Sequence, residues 1–217
     1  MPINKILLAI GAIIGIFVIL FIVYQLTNTS PNMVFPQMKT VNADDHIKWS
    51  PDKKYILVEY SDFQCPACAA THQQIKQQIE ASSSANYNLT KKITFIYRNY
   101  PLTQTHQNSQ SASYAAEAAN KQGKYFEMSD KLFETQKEWG ELPNPLDYFI
   151  GLGKQLNLNS NQLKIDMNSQ SVKDKITKDI ASGDTTQLNS TPTFFLNGKK
   201  LEITTFDYFI NELKNIK

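Results

Sequence analysis

The stretch Tyr55-Ile-Leu-Val-Glu-Tyr-Ser-Asp-Phe-Gln-Cys-Pro-Ala-Cys68 decides how the rest of the sequence is interpreted. Residues 55–60 form a short β-type run with apolar side chains at both odd and even positions. This pattern predicts a central strand that is covered on both faces. Residues 69–80 are good helix formers without an internal proline, so a helix is expected next. The CxxC pair therefore lies between a buried strand and a helix.

The position of this pair predicts two different thiols. Pro66 suits the first turn of a helix, where a missing backbone N–H costs nothing, so Cys65 is expected at the helix N-terminus. Unpaired N–H groups and the positive end of the helix dipole favour an anion there and lower the pKa of a cysteine. We expect Cys65 to be the exposed attacking thiolate and Cys68, one turn later, the buried partner that closes a Cys65–Cys68 bridge.

Two other interpretations of the cysteines fit the sequence less well. A structural zinc site needs four ligands, but the chain has two cysteines and three histidines, His46, His72 and His106. A pair of ordinary core cysteines does not explain a CxxC spacing that directly follows a β-strand. We therefore expect a redox-active disulfide, with no metal and no other cofactor, and expect His72 and His106 to be polar surface or capping groups.

Two further positions are candidates for the same site. Glu59 lies in the apolar strand, where burial raises the pKa of a carboxyl and allows it to exchange a proton with Cys68. A solvated Glu59 at the strand end is an equal alternative. Thr191 and Pro192 open another predicted strand. Their peptide bond is trans by default, but a cis bond would expose the Thr191 backbone to an extended substrate.

The remaining pattern predicts an α/β fold, a small sheet with one large helical insertion at about residues 105–182. Strands are predicted at 91–98, 193–196 and 201–203, with Asn197-Gly198 as a hairpin turn, and an amphipathic helix at 206–216. Alanines at helical spacing and scattered glycines and prolines mark the insertion as several helices. Charges that alternate in sign over residues 173–179 predict a solvated helix face.

The N-terminus predicts a membrane anchor. Residues 6–24 contain no charge and would span about 28 Å as a helix, close to the thickness of a bilayer's hydrocarbon core. A cleaved signal peptide is the alternative, but its apolar region usually has only about 7–15 residues. We expect one transmembrane helix, with residues 1–5 cytoplasmic by the positive-inside rule, residues 25–43 as a linker, and a domain at 44–217.

Composition excludes two classes of protein. The formal net charge is +2 at pH 7, so there is no electrostatic case for a nucleic-acid partner. With 41% hydrophobic and 11% aromatic residues, the 217-residue chain is too apolar for a disordered protein. A folded domain with an apolar N-terminal segment remains.

Taken together, Glu59-Tyr-Ser-Asp-Phe-Gln-Cys-Pro-Ala-Cys68 and Thr191-Pro-Thr-Phe-Phe-Leu-Asn-Gly198 resemble the DsbA-like family of thiol–disulfide oxidoreductases. The resemblance covers about four-fifths of the chain and implies a thioredoxin-like fold with a helical insertion. It implies a reactive Cys65, a resolving Cys68, a buried acid at Glu59 and a cis-proline loop at Thr191-Pro192. Pro66-Ala67 is then the active-site dipeptide. Ala67 stands where the best-known member has histidine, which predicts a milder oxidant.

The resemblance also implies partners and a location. The substrates would be exported proteins with cysteine thiols, and a quinone-linked membrane protein would reoxidise the cysteines. The location would be a bacterial-type cell membrane, crossed once, with the catalytic domain extracytoplasmic. A disulfide reductase or isomerase using the same site remains an alternative, as does a non-catalytic peptide-binding holdase.

Overall fold

The computed structural model describes residues 3–27 and 34–216, and it divides the chain into two units between residues 33 and 34. The first unit contains helix α1 (Ile3–Thr27). Within the described residues, no helix meets the combined length and apolarity needed to span a bilayer. The transmembrane helix expected at 6–24 therefore stays a prediction. Residues 1–2 of the predicted cytoplasmic segment and 28–33 of the predicted linker lie outside the described residues.

The second unit is built on a five-stranded sheet with the order β1-β3-β2-β4-β5. The strands are β1 (His46–Trp49), β2 (Tyr55–Ser61), β3 (Ile93–Asn99), β4 (Thr193–Leu196) and β5 (Lys199–Lys200). The central strand β2 is parallel to β3 and antiparallel to β4, and both of its faces are buried, as its apolar run predicts. Its carboxyl end leads directly into the CxxC helix.

The helices fall into two groups. Two helices, α2 (Pro66–Ile75) and α9 (Phe206–Lys214), pack on the sheet. Helix α2 continues into a π-helical turn at Lys76–Glu80. Six more lie between β3 and β4, where the sequence predicts the insertion. These are α3 (Ser109–Asn120), α4 (Tyr125–Glu134), α5 (Gln136–Trp139), α6 (Leu146–Gln155), α7 (Ser160–Met167) and α8 (Gln170–Asp184). The α/β class with a helical insertion is as predicted.

Alternation along β2 assigns its side chains to two apolar cores. Leu57 packs with Ile75 of α2 and Phe209 of α9, so the odd-numbered residues face these helices. Val58 and Tyr60 belong to a second cluster on the opposite face. The insertion has its own core around α3, and that core also contains both cysteines. The CxxC segment thus lies where the sheet meets the insertion.

The second unit begins at Val34 and so includes residues 34–43, which the sequence predicts as linker. Val34 forms a β-bridge with β5, and the Phe35 N–H donates to the Gly198 carbonyl at 2.7 Å. Met38 is fully buried in the core. These few apolar contacts are scattered among prolines and polar residues, so no helical or strand period reveals them in the sequence.

The strand predicted at 201–203 is wrong. The last strand, β5, is the two-residue pair Lys199–Lys200, and the ladder extends only to the Leu201 N–H, which donates to the Phe194 carbonyl at 2.9 Å. Leu201 is buried but Ile203 is exposed. Strand-type composition at the edge of a sheet does not ensure pairing, because only one neighbouring strand is present to fix it.

Candidate active site

The two cysteines occupy distinct places at the start of α2. Cys65 is the residue that caps the helix, with extended backbone angles, and Pro66 is the first helical residue, as its missing N–H favours. Cys65 is 8% exposed and Cys68 is fully buried, and both are free thiols. Cys65 is thus less exposed than expected, but it is the cysteine that solvent reaches.

The environment of Cys65 stabilises its thiolate. The pKa of Cys65 is lowered to about 5, chiefly by a hydrogen bond from the Cys68 thiol, although burial opposes this. Thr191 and the backbone N–H groups of Cys68 and Ala67 lower it further. The helix N-terminus therefore contributes as the sequence predicts, but the neighbouring thiol contributes more. Among these causes, Ala67 acts through its backbone alone.

Cys68 has the opposite electrostatic character. Burial raises the pKa of Cys68 well above its ordinary value, and the hydrogen bond to Cys65 and the charge of that residue add to the effect. The Asp62 N–H points at the Cys68 sulfur, 3.5 Å away. At neutral pH the pair is therefore one thiolate and one thiol. Cys65 can attack a disulfide, and Cys68 must lose a proton before it can.

The loop before β4 lies against Cys65. The Thr191–Pro192 peptide bond is cis. The Cys65 sulfur lies 3.3 Å from the Thr191 carbonyl oxygen, to which it donates when it is protonated, and the two residues are 126 positions apart in sequence. The Thr191 hydroxyl is buried without a hydrogen bond of normal geometry among the described residues, yet it lies close enough to lower the pKa of both cysteines. Thr191 therefore borders the reactive sulfur.

Glu59 is buried, with 3% of its surface exposed. Of the two placements considered from the sequence, buried within the strand or solvated at its end, the structure shows the buried one. It faces the α2 side of the sheet and lies between Tyr97 of β3 and Phe194 of β4 in the strand register. Burial raises the pKa of Glu59 to about 7, while the Ser61 hydroxyl and the Lys48 charge act in the other direction. This carboxyl can both accept and release a proton near neutral pH.

Several residues that support the site are not evident from the sequence. The buried Asp62 carboxylate accepts hydrogen bonds from the backbone N–H groups of Gln64 and Leu102, and it pairs with His106 Nδ1 at 2.8 Å. Gln136 donates to the carbonyl oxygen of Cys65 at 3.0 Å, so the insertion holds the CxxC turn from its other side. A carboxylate directly after a buried strand is the signal that could have identified Asp62.

His72 and His106, the two histidines expected at the surface or as caps, each contact a specific carboxylate. His106 is tied to the buried Asp62, so it is part of the support for the CxxC turn rather than a surface group. His72 lies on α2, pairs with Asp130 at 3.0 Å and stacks on Phe133. Within residues 3–27 and 34–216 no group of three or more His, Cys, Asp or Glu side chains could hold a metal ion.

Known proteins similar to this chain fall into two sets. The Na(+)/H(+) antiporter NhaA 1 of Mycobacterium sp. (strain KMS) is 32% identical over 158 residues. The alignment covers 72% of this chain but 24% of the antiporter, so the chain spans about a quarter of the length of the curated relatives it matches. This similarity concerns one part of those proteins.

The solved structures share the fold across nearly their whole length. BdbD from Bacillus subtilis in its oxidised form has a TM-score of 0.67 at 19% identity, over 78% of this chain and 91% of BdbD. Alpha-DsbA1 from Wolbachia pipientis has a TM-score of 0.67 at 21% identity, over 80% of this chain and 91% of that one. The DsbA-like resemblance is thereby confirmed at the level of the fold.

A family model places this similarity in the sequence itself. The model described as Thioredoxin matches residues 42–214, which include β1 to α9 with both cysteines and the Thr191-Pro192 loop. The chain therefore belongs to the thioredoxin family.

Proposed function

We propose that the protein is an extracytoplasmic thiol–disulfide oxidoreductase that forms disulfide bonds in exported proteins. The observation that carries the proposal is the contrast between Cys65, whose pKa is lowered to about 5, and the buried Cys68, whose pKa is raised. A stabilised thiolate favours the reduced enzyme, and a couple whose reduced form is stabilised takes electrons from its substrates. This environment favours oxidation of substrate thiols.

The reaction starts from the Cys65–Cys68 disulfide. A substrate thiolate attacks the Cys65 sulfur, the S–S bond breaks, and Cys68 leaves with the electron pair while a mixed disulfide forms. A second substrate thiolate then attacks the substrate sulfur of the mixed disulfide and expels Cys65 as a thiolate. The substrate loses two electrons and gains a disulfide, and the enzyme is left as a dithiol.

Each candidate residue has a role in this sequence of steps. Cys65 is the better leaving group because its thiolate is stabilised. Cys68 leaves into a buried environment and needs a proton, which Glu59 can supply because its pKa is about 7. The backbone at Thr191 and Pro192 lies beside the reactive sulfur and would bind an extended substrate segment.

The proposal requires a second partner. The dithiol left after each turnover must return its two electrons to an acceptor before another substrate is oxidised. We assign this step to a quinone-linked membrane protein, on the basis of the DsbA-like resemblance. We do not propose Na⁺/H⁺ antiport for this chain, because its alignment covers only 24% of the antiporter that it resembles.

Membrane attachment is the part of the proposal that rests on the sequence. The uncharged run at 6–24 and the lysine that precedes it support a single-pass anchor with the domain on the outer side. Alkaline extraction of isolated membranes tests attachment, and protease added to intact cells tests the side. Release of the chain by alkali, or protection of the domain in intact cells, would contradict the assignment.

The equilibrium with glutathione tests the direction of the reaction. A reduction potential near −120 mV, the value of a strong oxidant, or moderately more negative would agree with oxidation of substrates. A potential near −270 mV would indicate a reductase. Oxidative refolding of a reduced, unfolded substrate supplies the second measurement. Refolding that is equally fast when Cys65 is replaced by serine would leave only the peptide-binding holdase.

A further inference from the structure

Four polar side chains cluster on the face of the sheet that α2 covers. Glu59 and Ser61 are two residues apart on β2, so they share this face, and Tyr97 lies opposite Glu59 on β3. The Cys68 sulfur lies at the end of the same row, because it contacts the N–H of Asp62, the residue after Ser61. We call these four residues, Glu59, Ser61, Cys68 and Tyr97, the Cys68 cluster.

Two hydroxyl groups in the Cys68 cluster are unusual. Ser61 is fully buried and Tyr97 is 4% exposed. Among the described residues, neither the Ser61 oxygen nor the Tyr97 phenol oxygen has a hydrogen-bond partner of normal geometry. A buried hydroxyl without a partner costs free energy, so its presence beside a buried acid and a buried thiol calls for an explanation.

Of the two hydroxyls, that of Ser61 is better placed than that of Tyr97 to connect the Glu59 carboxyl with the Cys68 thiol. On β2, Ser61 follows Glu59 by one step along the shared face and comes directly before the residue whose N–H contacts Cys68. Its hydroxyl also lies close enough to Glu59, Cys68 and Tyr97 to lower the pKa of all three. Ser61 thus stands between Glu59 and Cys68 along the strand, and among the described residues no other group engages its hydroxyl in a normal hydrogen bond.

We propose that the Ser61 hydroxyl relays the proton between the Cys68 thiol and the Glu59 carboxyl and is a further catalytic residue of this site. This rests on the proposed thiol–disulfide exchange. In the reducing direction, the Cys68 S–H passes its proton to the Ser61 oxygen while the Ser61 O–H passes its own to the Glu59 carboxylate. The Cys68 thiolate attacks the Cys65 sulfur of a mixed disulfide, the Cys65–Cys68 bond forms, and the substrate sulfur leaves as a thiolate.

In the oxidising direction the same atoms move in reverse. The Cys68 sulfur leaves Cys65 with the electron pair, takes a proton from the Ser61 hydroxyl, and Ser61 is reprotonated by the Glu59 carboxyl. The charged groups that act on Glu59 are Lys48 and Glu80, which pair with each other at 2.7 Å. The ionisation of Glu59 therefore responds to this partly exposed pair as well as to its own burial.

One reaction separates the two cysteines in time. The reduced full chain in mild detergent is mixed with excess 5,5′-dithiobis(2-nitrobenzoate), and release of the coloured thiolate is followed by stopped flow. The first phase reports attack by Cys65, and the second reports attack by Cys68 on the mixed disulfide. We expect Ser61→Ala to slow the second phase about tenfold at pH 7 and to leave the first phase unchanged.

Two variants and a pH series distinguish relay from packing. Ser61→Thr keeps the hydroxyl and should restore the second phase to within about twofold of the unmodified chain. Ser113→Ala removes a fully buried hydroxyl of α3 outside the site and should leave both phases unchanged. The second-phase rate of the unmodified chain should rise with pH through a midpoint near 7, and Ser61→Ala should lose this midpoint.

Three results would overturn the relay. The first is a second phase in Ser61→Ala as fast as in the unmodified chain at every pH. The second is a slow second phase in Ser61→Thr, which would indicate packing instead. The third is a slow second phase in Tyr97→Phe together with a normal one in Ser61→Ala, which would assign the relay to the phenol. Absence of the first phase in the unmodified chain would instead remove the proposed function itself.

Discussion

Two groups of buried polar side chains lie between the same sheet and the helices packed on it, and they differ in how completely they are paired. The first joins the sheet to the helical insertion, and we call it the Asn99 cluster. Its members are His46, Asn99, Glu117, Lys175 and Asp179. Glu117 accepts from Asn99 at 2.8 Å and contacts His46 at 2.7 Å, while Asp179 accepts from Lys175 at 2.6 Å and from the Asn99 N–H at 3.1 Å.

The Cys68 cluster is buried to the same degree but keeps two hydroxyls without partners among the described residues. A fully paired network rigidifies the elements that it joins, because every group would lose a partner if they separated. An incompletely paired one costs stability and keeps polar groups free to exchange protons. The comparison supports a structural role for the Asn99 cluster and fits the catalytic role that we propose for the Cys68 cluster.

The largest effect that this comparison predicts is on activity. Cys65→Ser should lower the rate of oxidative refolding of a reduced substrate by roughly a thousandfold or more, because the attacked sulfur is gone. Stability to urea should change little, since serine is close to cysteine in size. Cys68→Ser is the matched variant: offered a substrate that already contains a disulfide, its Cys65 thiolate attacks that bond, one substrate sulfur leaves as a thiolate, and the mixed disulfide should accumulate, visible by mass spectrometry, because Cys68 is no longer there to displace it. Activity retained in Cys65→Ser would contradict the assigned chemistry.

The Asn99 cluster should respond in stability instead. Glu117→Ala leaves His46 and Asn99 each short of a buried partner, which should cost about 2–4 kcal/mol in the free energy of unfolding. Glu127→Ala removes an exposed pair with Lys124 and should change it by less than about 0.5 kcal/mol. The first phase of thiol reaction in the folded Glu117→Ala protein should remain normal. Equal urea midpoints for these two variants would show that the Asn99 cluster does not hold the fold.

Glu59→Gln should raise the free energy of unfolding and slow the reaction of Cys68. The buried carboxyl has its pKa raised from 4.5 to about 7, so it is protonated in both folded and unfolded states below about pH 4.5 and destabilises the fold only above that. The penalty grows as pH rises through 4.5 to 7 and then stays constant, on the order of 3 kcal/mol. Glutamine should therefore stabilise the domain by that amount at pH 8 and by little at pH 4.5.

The same variant should slow the Cys68-dependent phase of thiol reaction by about tenfold to a hundredfold at pH 7. Urea unfolding at pH 4.5, 6 and 8 and the two-phase thiol assay measure the two effects on one preparation. A stability gain that does not depend on pH would mean that the carboxyl is not the group that titrates.

The two clusters also show what the sequence could predict. The CxxC pair is visible because spacing, strand and helix start are all local features of residues 55–80. The Asn99 cluster is not visible, because its members come from β1, β3, α3 and α8 and meet only in the folded chain. Lys175 and Asp179 illustrate the limit, since alternating charges predict a solvated face, whereas both side chains are buried. An ion pair satisfied by a distant strand looks like a surface pattern in sequence.

Ser61 and Tyr97 were missed for a related reason. Serine at a strand end and tyrosine in a strand are ordinary residues, and only the register between β2 and β3 brings them beside Glu59. The folded arm at 34–43 escaped prediction because Phe35 and Met38 lack a periodic pattern. Short-range patterns identify the elements, while pairing between distant elements decides which polar groups share a site.

The smallest predicted effect lies within the cysteine pair and tests why Cys65 ionises readily. The hydrogen bond from Cys68 is the largest cause that lowers the pKa of Cys65, ahead of Thr191 and the backbone N–H groups at the helix start. Cys68→Ala removes that donor, so the pKa of Cys65 should rise above about 5 yet stay below that of free cysteine. Cys68→Ser keeps an O–H donor and should stay closer to the unmodified chain. The rate of iodoacetamide alkylation against pH measures the midpoint, and an unchanged midpoint in Cys68→Ala would mean that Thr191 and the helix N-terminus stabilise the thiolate without the Cys68 thiol.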